Sequence, residues 1–365
     1  MSPYLVTFAI SLLSLYLATK TTNKIIRQIF YIVAIMTPSL LAGLRDVSIG
    51  SDTGGYPLVT YSYVSSMKSL GQAIMWNDGD VENAYVAIAY YSSHIINLFN
   101  FFLTCIALIT IASLFWGVKV SKENIVWVFF LFFFMYYNTT LNAQRQSMAL
   151  CMCVTCIAYM MRKNYLMTGI TFLLAFSFHH SAVLFISVIF LYWFVQRFPK
   201  FSRSIKMQIG VIILIIVVLV SFNELVQSLV GIGLEEKYAD RYGNSEEYGS
   251  NIPISLFALN SFNLIAFLSV AYKDKKSNYY IFGKYMMIIA LLLCFAGLIS
   301  TFAVRIDAYF MFVNILLLSH YLPNSNSIWK FFTVCFYIFY WIMITVVANL
   351  ADSYPYKSII LSSII

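Results

Sequence analysis

Apolar runs recur along the whole of this chain, and its charges fall almost entirely in the short breaks between them. That alternation constrains the fold more than any motif does, because runs of this length bury themselves by crossing a bilayer. Only 10% of the residues are charged and 61% are hydrophobic. An ordinary soluble domain carries roughly 25% charged residues, so this chain cannot cover a globular surface with charge. The predicted class is all-α, a polytopic membrane helix bundle. Candidate spans are 3–19, 28–44, 100–118, 125–139, 146–161, 165–179, 181–196, 207–223, 254–272, 281–299, 306–322 and 328–348, twelve in all. The shorter ones cross with tilt or local thinning. No basic stretch or A-x-A-like site accompanies the first run, so it reads as a span rather than a cleavable signal.

The breaks sort by charge. One set holds Lys20, Lys24, Arg27, Lys119, Lys122, Arg162, Lys163, Arg197, Lys200, Arg203, Lys206, Lys273, Lys275, Lys276, Lys284 and Lys330, with only Glu123 and Asp274 as acids. The excess of Lys and Arg assigns this side to the cytoplasm. The other side keeps Arg45, Lys68, Arg145, Lys237, Arg241, Arg305 and Lys357 beside most of the acids. The sides alternate correctly through all the spans and place both termini outside. The net charge of +8 is therefore a topology signal and not a nucleic-acid one. The six cysteines lie inside apolar runs, and Cys151-x-Cys153-x-x-Cys156 lacks a further ligand to complete a metal site; these are packing residues.

The chain reads as one integral membrane domain, 1–365, with long outer segments at 45–99 and 224–253. Residues 84–98 are too short and polar for a clear span and read as an interfacial or re-entrant helix. The second segment contains E-E-K-Y-A-D-R-Y-G-N-S-E-E-Y-G, the composition of a lid or a sugar-facing surface. Asp78, Asp80 and Glu82 alternate like a weak calcium loop, but the other ligand positions are missing; they are expected to be solvated. Asn138-Thr139-Thr140 is a sequon, to be glycosylated only if the host modifies that face.

The candidate centre lies between Asn142 and Ser181. If the two apolar runs there both cross, Arg145 and His179 return to the same outer face, joined by the short basic turn Arg162-Lys163-Asn164. An arginine and a histidine at the mouth of a bundle are expensive to place and mark function by default. Asn142, Gln144 and Gln146 add hydrogen-bonding groups. Arg45 and Arg305 sit at span ends on the same side, and planar permanent forks suit a phosphate or diphosphate. Each arginine could instead snorkel to headgroups or pair with Asp46 or Asp307. His179, with an ordinary pKa of about 6.5, could act as a base or simply pack. Asp52, in the Gly50-Ser51-Asp52-Thr53-Gly54-Gly55 turn, is free to bind a hydroxyl or cap a helix.

At these residues the sequence resembles the EpsG-type and Wzy-type membrane proteins, bacterial polymerases of O-antigen and exopolysaccharide repeat units. The matching pieces, in order, are L-A-G-L-R-D-V-S-I-G-S-D-T-G-G-Y, Q-R-Q-S-M-A, F-H-H-S-A and V-R-I-D-A-Y-F, followed by Tyr354-Pro355-Tyr356. The third puts His179 rather than His180 on the family position. The resemblance implies a GT-C-like fold and a cofactor-free, metal-independent glycosyl transfer. Its substrates are undecaprenyl-diphosphate-linked glycans at the periplasmic face of the bacterial inner membrane. It implies His179, Arg145 and Arg305 as catalytic, and Arg45, Asp52, Tyr56, Gln146, Arg241 and Tyr242 as substrate-binding. A chain-length regulator is an implied partner beside the lipid bilayer. A ligase of similar chemistry, or a flippase or transporter of lipid-linked oligosaccharide, would show about the same span count. Transporters carry paired repeats and midplane charges, neither of which is visible here.

Overall fold

The computed structural model describes residues 1–221, 254–295 and 301–358, the side chains of 219, 220 and 301–305 excepted. No strand occurs among the described residues, and the described part of each expected span is helical, 222–223 and 296–299 lying outside the described residues. Among the described residues six helical stretches are long and apolar enough to cross a membrane: Ser2–Lys20, Lys24–Gly43, Phe99–Ser121, His180–Arg197, Ile306–Asn324 and Ser327–Val347. Shorter apolar helices accompany them at Ile125–Met135, Tyr165–Phe178, Ile205–Val218, Ile254–Val270 and Asn278–Leu293. The protein is a polytopic helical membrane protein.

It divides into two compact units, one comprising Met1–Val183 and the chain from Phe332 onward, the other Leu184–Phe331. In the first unit the long helices are α1 (Ser2–Lys20), α2 (Lys24–Gly43), α6 (Phe99–Ser121), α7 (Ile125–Met135), α9 (Gln144–Met161) and α10 (Tyr165–Phe178). Short helices α3 (Tyr56–Val64), α4 (Leu70–Asn77) and α5 (Asn83–Ile95) fold between α2 and α6. The centre of the unit is α9, in which every residue from Ser147 to Ala158 is buried, the three cysteines included. It lies between α6 and α10. Small residues let the backbones meet, as membrane bundles require: a Cβ on Gly117 would stand 3.0 Å from the Cα of Thr155.

The stretch 45–99 is packed rather than loose. Tyr61, Val64, Ala73, Val81, Tyr85, Val86 and Ala89 form one buried cluster with Phe102, Leu103 and Ile106 of α6 and Met148 of α9. Its three short helices thus sit on the same helices that carry the candidate centre. The span expected at 125–139 is broken at Tyr136 into α7 and α8 (Tyr137–Asn142). The break serves polar side chains that a straight apolar helix would leave unpaired. The Tyr137 hydroxyl donates to the Pro38 carbonyl at 2.6 Å. Asn138 donates to Ser353 Oγ at 2.8 Å and accepts from Trp341 Nε1 at 2.7 Å. Hydrogen-bonded through both its amide nitrogen and its amide oxygen and 1% exposed, Asn138 is a structural link and not a glycosylation acceptor. Tyr4, Phe8, Phe133, Tyr137 and Trp341 pack edge-on and stacked around this link, with the Phe8 and Phe133 rings 4.7 Å apart.

The second unit contains α11 (Ile186–Arg197), α12 (Pro199–Ser202), α13 (Ile205–Val220), α14 (Ile254–Val270), α15 (Asn278–Leu293) and α16 (Thr301–Tyr321). Its basic turns are pinned by polar contacts. Lys284 donates to Gln208 at 2.7 Å, Arg203 to Asn278 at 2.9 Å, and the Tyr285 hydroxyl to the Ser202 carbonyl at 2.8 Å. Asp307 of α16 is fully buried and accepts from Asn260 Nδ2 at 2.9 Å. α17 (Ser327–Ile342) carries the chain back to the first unit.

Candidate active site

The helix pair α9 and α10 does what its sequence pattern predicts. Arg145 sits in the first turn of α9, and His179 follows the last residue of α10 in extended backbone (φ −160°, ψ 122°). Both side chains meet at a third residue, Glu82. Arg145 Nη1 donates to Glu82 Oε2 at 2.5 Å, and His179 Nδ1 stands 2.5 Å from Glu82 Oε1. The His180 backbone N–H adds a 3.3 Å contact to the same oxygen.

Glu82 was expected to be solvated with Asp78 and Asp80. Those two are exposed, but Glu82 is 5% exposed while the Arg145 and His179 side chains are 21% and 20% exposed. The carboxylate is the buried hub, and Arg145 and His179 form the accessible rim. A lone buried carboxylate would be protonated or excluded. Burial pushes the Glu82 pKa up, but the His179 hydrogen bond and the Arg145 charge outweigh it and hold the carboxyl at about 2. Being ionised, Glu82 can only accept. His179 Nδ1 must therefore carry its proton, and Nε2 is the nitrogen left to accept one.

One sequence signal did point to Glu82. It caps α5, and Val86 and Ala89 follow at the i+4 and i+7 positions, both fully buried. Glu82 continues that inward stripe. The acidic run before it concealed this.

The remaining candidates take different places. Tyr56 lays its ring under Arg145, 4.4 Å from centroid to guanidinium carbon, and packs against Tyr85 at 5.8 Å. The Tyr85 hydroxyl donates to Gln144 Oε1 at 3.0 Å, so Gln144 is a buried support. Gln146 is partly exposed beside Arg145. Asp52 is exposed on its turn, which is tied to the end of α8 by Asn142: Asn142 Oδ1 accepts from the Asp52 N–H at 2.7 Å and from Ser51 Oγ at 3.1 Å.

Arg45 is 3% exposed and faces inward. Its guanidinium donates to the carbonyls of Ala42, Ile49 and Leu141 and to Thr53 Oγ1. Those contacts hold the Gly50–Gly55 turn against the ends of α2 and α8. Arg305 lies on α16 of the second unit, and its side chain lies outside the described residues. Arg241 and Tyr242 also lie outside the described residues.

The model of the EpsG family matches residues 28–358. The chain belongs to the EpsG family. The match takes in Arg45, Glu82, Arg145, His179 and Arg305, together with the C-terminal tail that packs on the first unit. Comparison with curated proteins and with solved structures returns no match.

Proposed function

We propose that this EpsG-family protein is a repeat-unit polymerase of the GT-C type. It moves a glycan from undecaprenyl diphosphate onto a sugar hydroxyl of a lipid-linked acceptor at the outer face of the bacterial inner membrane. The observation that carries the reading is the Glu82–Arg145–His179 cluster at the mouth of a helix bundle, a buried carboxylate orienting a histidine beside a half-open arginine. The bond that breaks joins the anomeric carbon to the diphosphate, and the bond that forms joins it to the acceptor oxygen. The acceptor proton passes to His179 Nε2, a general-base step worth typically about 10²–10⁴-fold.

Charge bookkeeping favours this order. With His179 neutral, Glu82 and Arg145 balance one another. Once His179 takes the proton, the cluster is net cationic, just as negative charge collects on the departing diphosphate. An interaction that strengthens only in the transition state accelerates the chemical step. Arg145 then faces the leaving group with its planar fork, held flat by Tyr56. Arg305, Asp52, Gln146, Arg241 and Tyr242 are the candidates for the rest of the substrate surface, and Arg45 bears on it through the turn it braces.

The test is to form polymer in membranes with Arg145→Lys and His179→Ala, measuring protein levels alongside. Arg145→Lys keeps the charge and loses the fork, so polymer is expected to fall by about 10²-fold or more, with single repeat units accumulating on the carrier. His179→Ala should fall by a comparable factor. Ladders of normal length and yield from both variants would defeat the reading and leave a structural ion pair.

A further inference from the structure

At the other end of the first unit, where α1, α2, α6 and α7 come together, a cavity of about 560 Å³ opens among Tyr16, Lys20, Tyr31, Lys119, Lys122 and Trp127. We propose that it binds the phosphate-bearing headgroup of an anionic phospholipid. Nothing in the proposed polymerase chemistry uses this end of the molecule, and the inference is independent of that reading.

Three features point to the ligand. The first is charge: three lysines line the cavity and Glu123 is the only acid among its lining residues. Such an imbalance attracts a multivalent anion, and basic pockets between membrane helices take phospholipid headgroups. The second is that the ammonium groups are steered by aromatic rings. Lys119 Nζ stands 3.2 Å from the Tyr31 hydroxyl and 4.7 Å over its ring, and Lys20 Nζ lies 5.5 Å over the Tyr16 ring. Rings that face a cation on one side fix its direction without neutralising it. Lys122, in turn, holds the left-handed cap of α6 (φ 63°), a position that glycine or asparagine fills more readily. Its presence there keeps a charge at the rim at some conformational expense.

The third feature is what lies beside the mouth. Leu13 and Leu17 of α1 are 58% and 37% exposed, and they share a helix face with Tyr16 and Lys20. A headgroup seated among the lysines can lay its acyl chain along that face. The volume falls within the range of pockets that take small organic ligands, about 300–1,000 Å³.

Full-length protein purified in a neutral maltoside detergent provides the test, with thermal unfolding followed by intrinsic fluorescence. Phosphatidylglycerol and cardiolipin are expected to raise Tm by about 4 °C at saturation, and phosphatidylcholine to leave it unchanged. A variant with Lys20→Gln, Lys119→Gln and Lys122→Gln should lose the response, while one with Lys273→Gln, Lys275→Gln and Lys276→Gln should keep it. Should the first triple variant fail to fold, Lys122→Asn retains the cap geometry and should weaken the apparent lipid affinity by at least about 3-fold. Pyrophosphate alone reproducing the shift would keep the anion site and assign it to a soluble ligand. Equal stabilisation by phosphatidylcholine, or an undiminished response in both cavity variants, would overturn the proposal.

Discussion

Two arginines at one end of the first unit keep different company. Arg145 shares Glu82 with His179 and stays partly open, whereas Arg45 is closed over by four oxygens, three of them backbone carbonyls. In the sequence both are arginines at span ends; Arg145 finds Glu82 63 residues earlier, whereas Arg45 combines local acceptors at Ala42, Ile49 and Thr53 with the Leu141 carbonyl 96 residues later. Arg45→Met is therefore expected to act on folding. It removes a buried donor set and leaves several acceptors unpaired, at about 1–3 kcal/mol each. A clear drop in Tm and in membrane protein level should appear before any selective change in product. Unchanged Tm with altered product would make Arg45 a ligand contact after all. Glu82 carries the same lesson. Its burial was misread as solvation because the acidic run before it hid the stripe it shares with Val86 and Ala89, and its two partners were beyond local reading because they depend on how α5 lands on α9 and α10.

At the scale of elements, the spans were readable because apolar length is a local property, while their breaks and contacts were not. The split of α7 from α8 at Tyr136 answers to Ser353 and Trp341, some two hundred residues later. Helix contacts follow small residues. A Cβ on Gly43 would fall 1.8 Å from Thr104 Oγ1 and 2.8 Å from the Thr104 Cα, so α2 and α6 touch backbone to backbone there. Gly43→Ala must push these helices apart, at a cost of about 1–3 kcal/mol or more. Lower Tm and reduced recovery from detergent are expected, with the loss partly relieved by Thr104→Gly. A Gly43→Ala protein as stable as the parent would show that the two helices do not approach this closely.

For the whole molecule, the charge pattern assigned sides to every break, and the first unit is consistent with it. Arg145 and His179 share one end, while Lys20, Lys119, Lys122 and Arg162 share the other, where Arg162 donates to the Val120 and Ser121 carbonyls at the foot of α6. Reporter fusions after Lys122, Asn164, Arg203 and Lys276 should all report the cytoplasm, and fusions near Asp52 the outside. A cytoplasmic signal near Asp52 would put the cluster on the wrong face for lipid-linked substrates made available outside. The measurement that bears most directly on the account is polymer formation by Glu82→Gln, with Tm recorded on the same protein. Glutamine keeps the shape of the hub but cannot balance the Arg145 charge or fix the His179 tautomer as an acceptor-only carboxylate does. The account predicts that polymer falls by about 10²-fold or more while the protein still inserts, and that single repeat units remain on the carrier. A normal polymer ladder from a stable Glu82→Gln protein would contradict it.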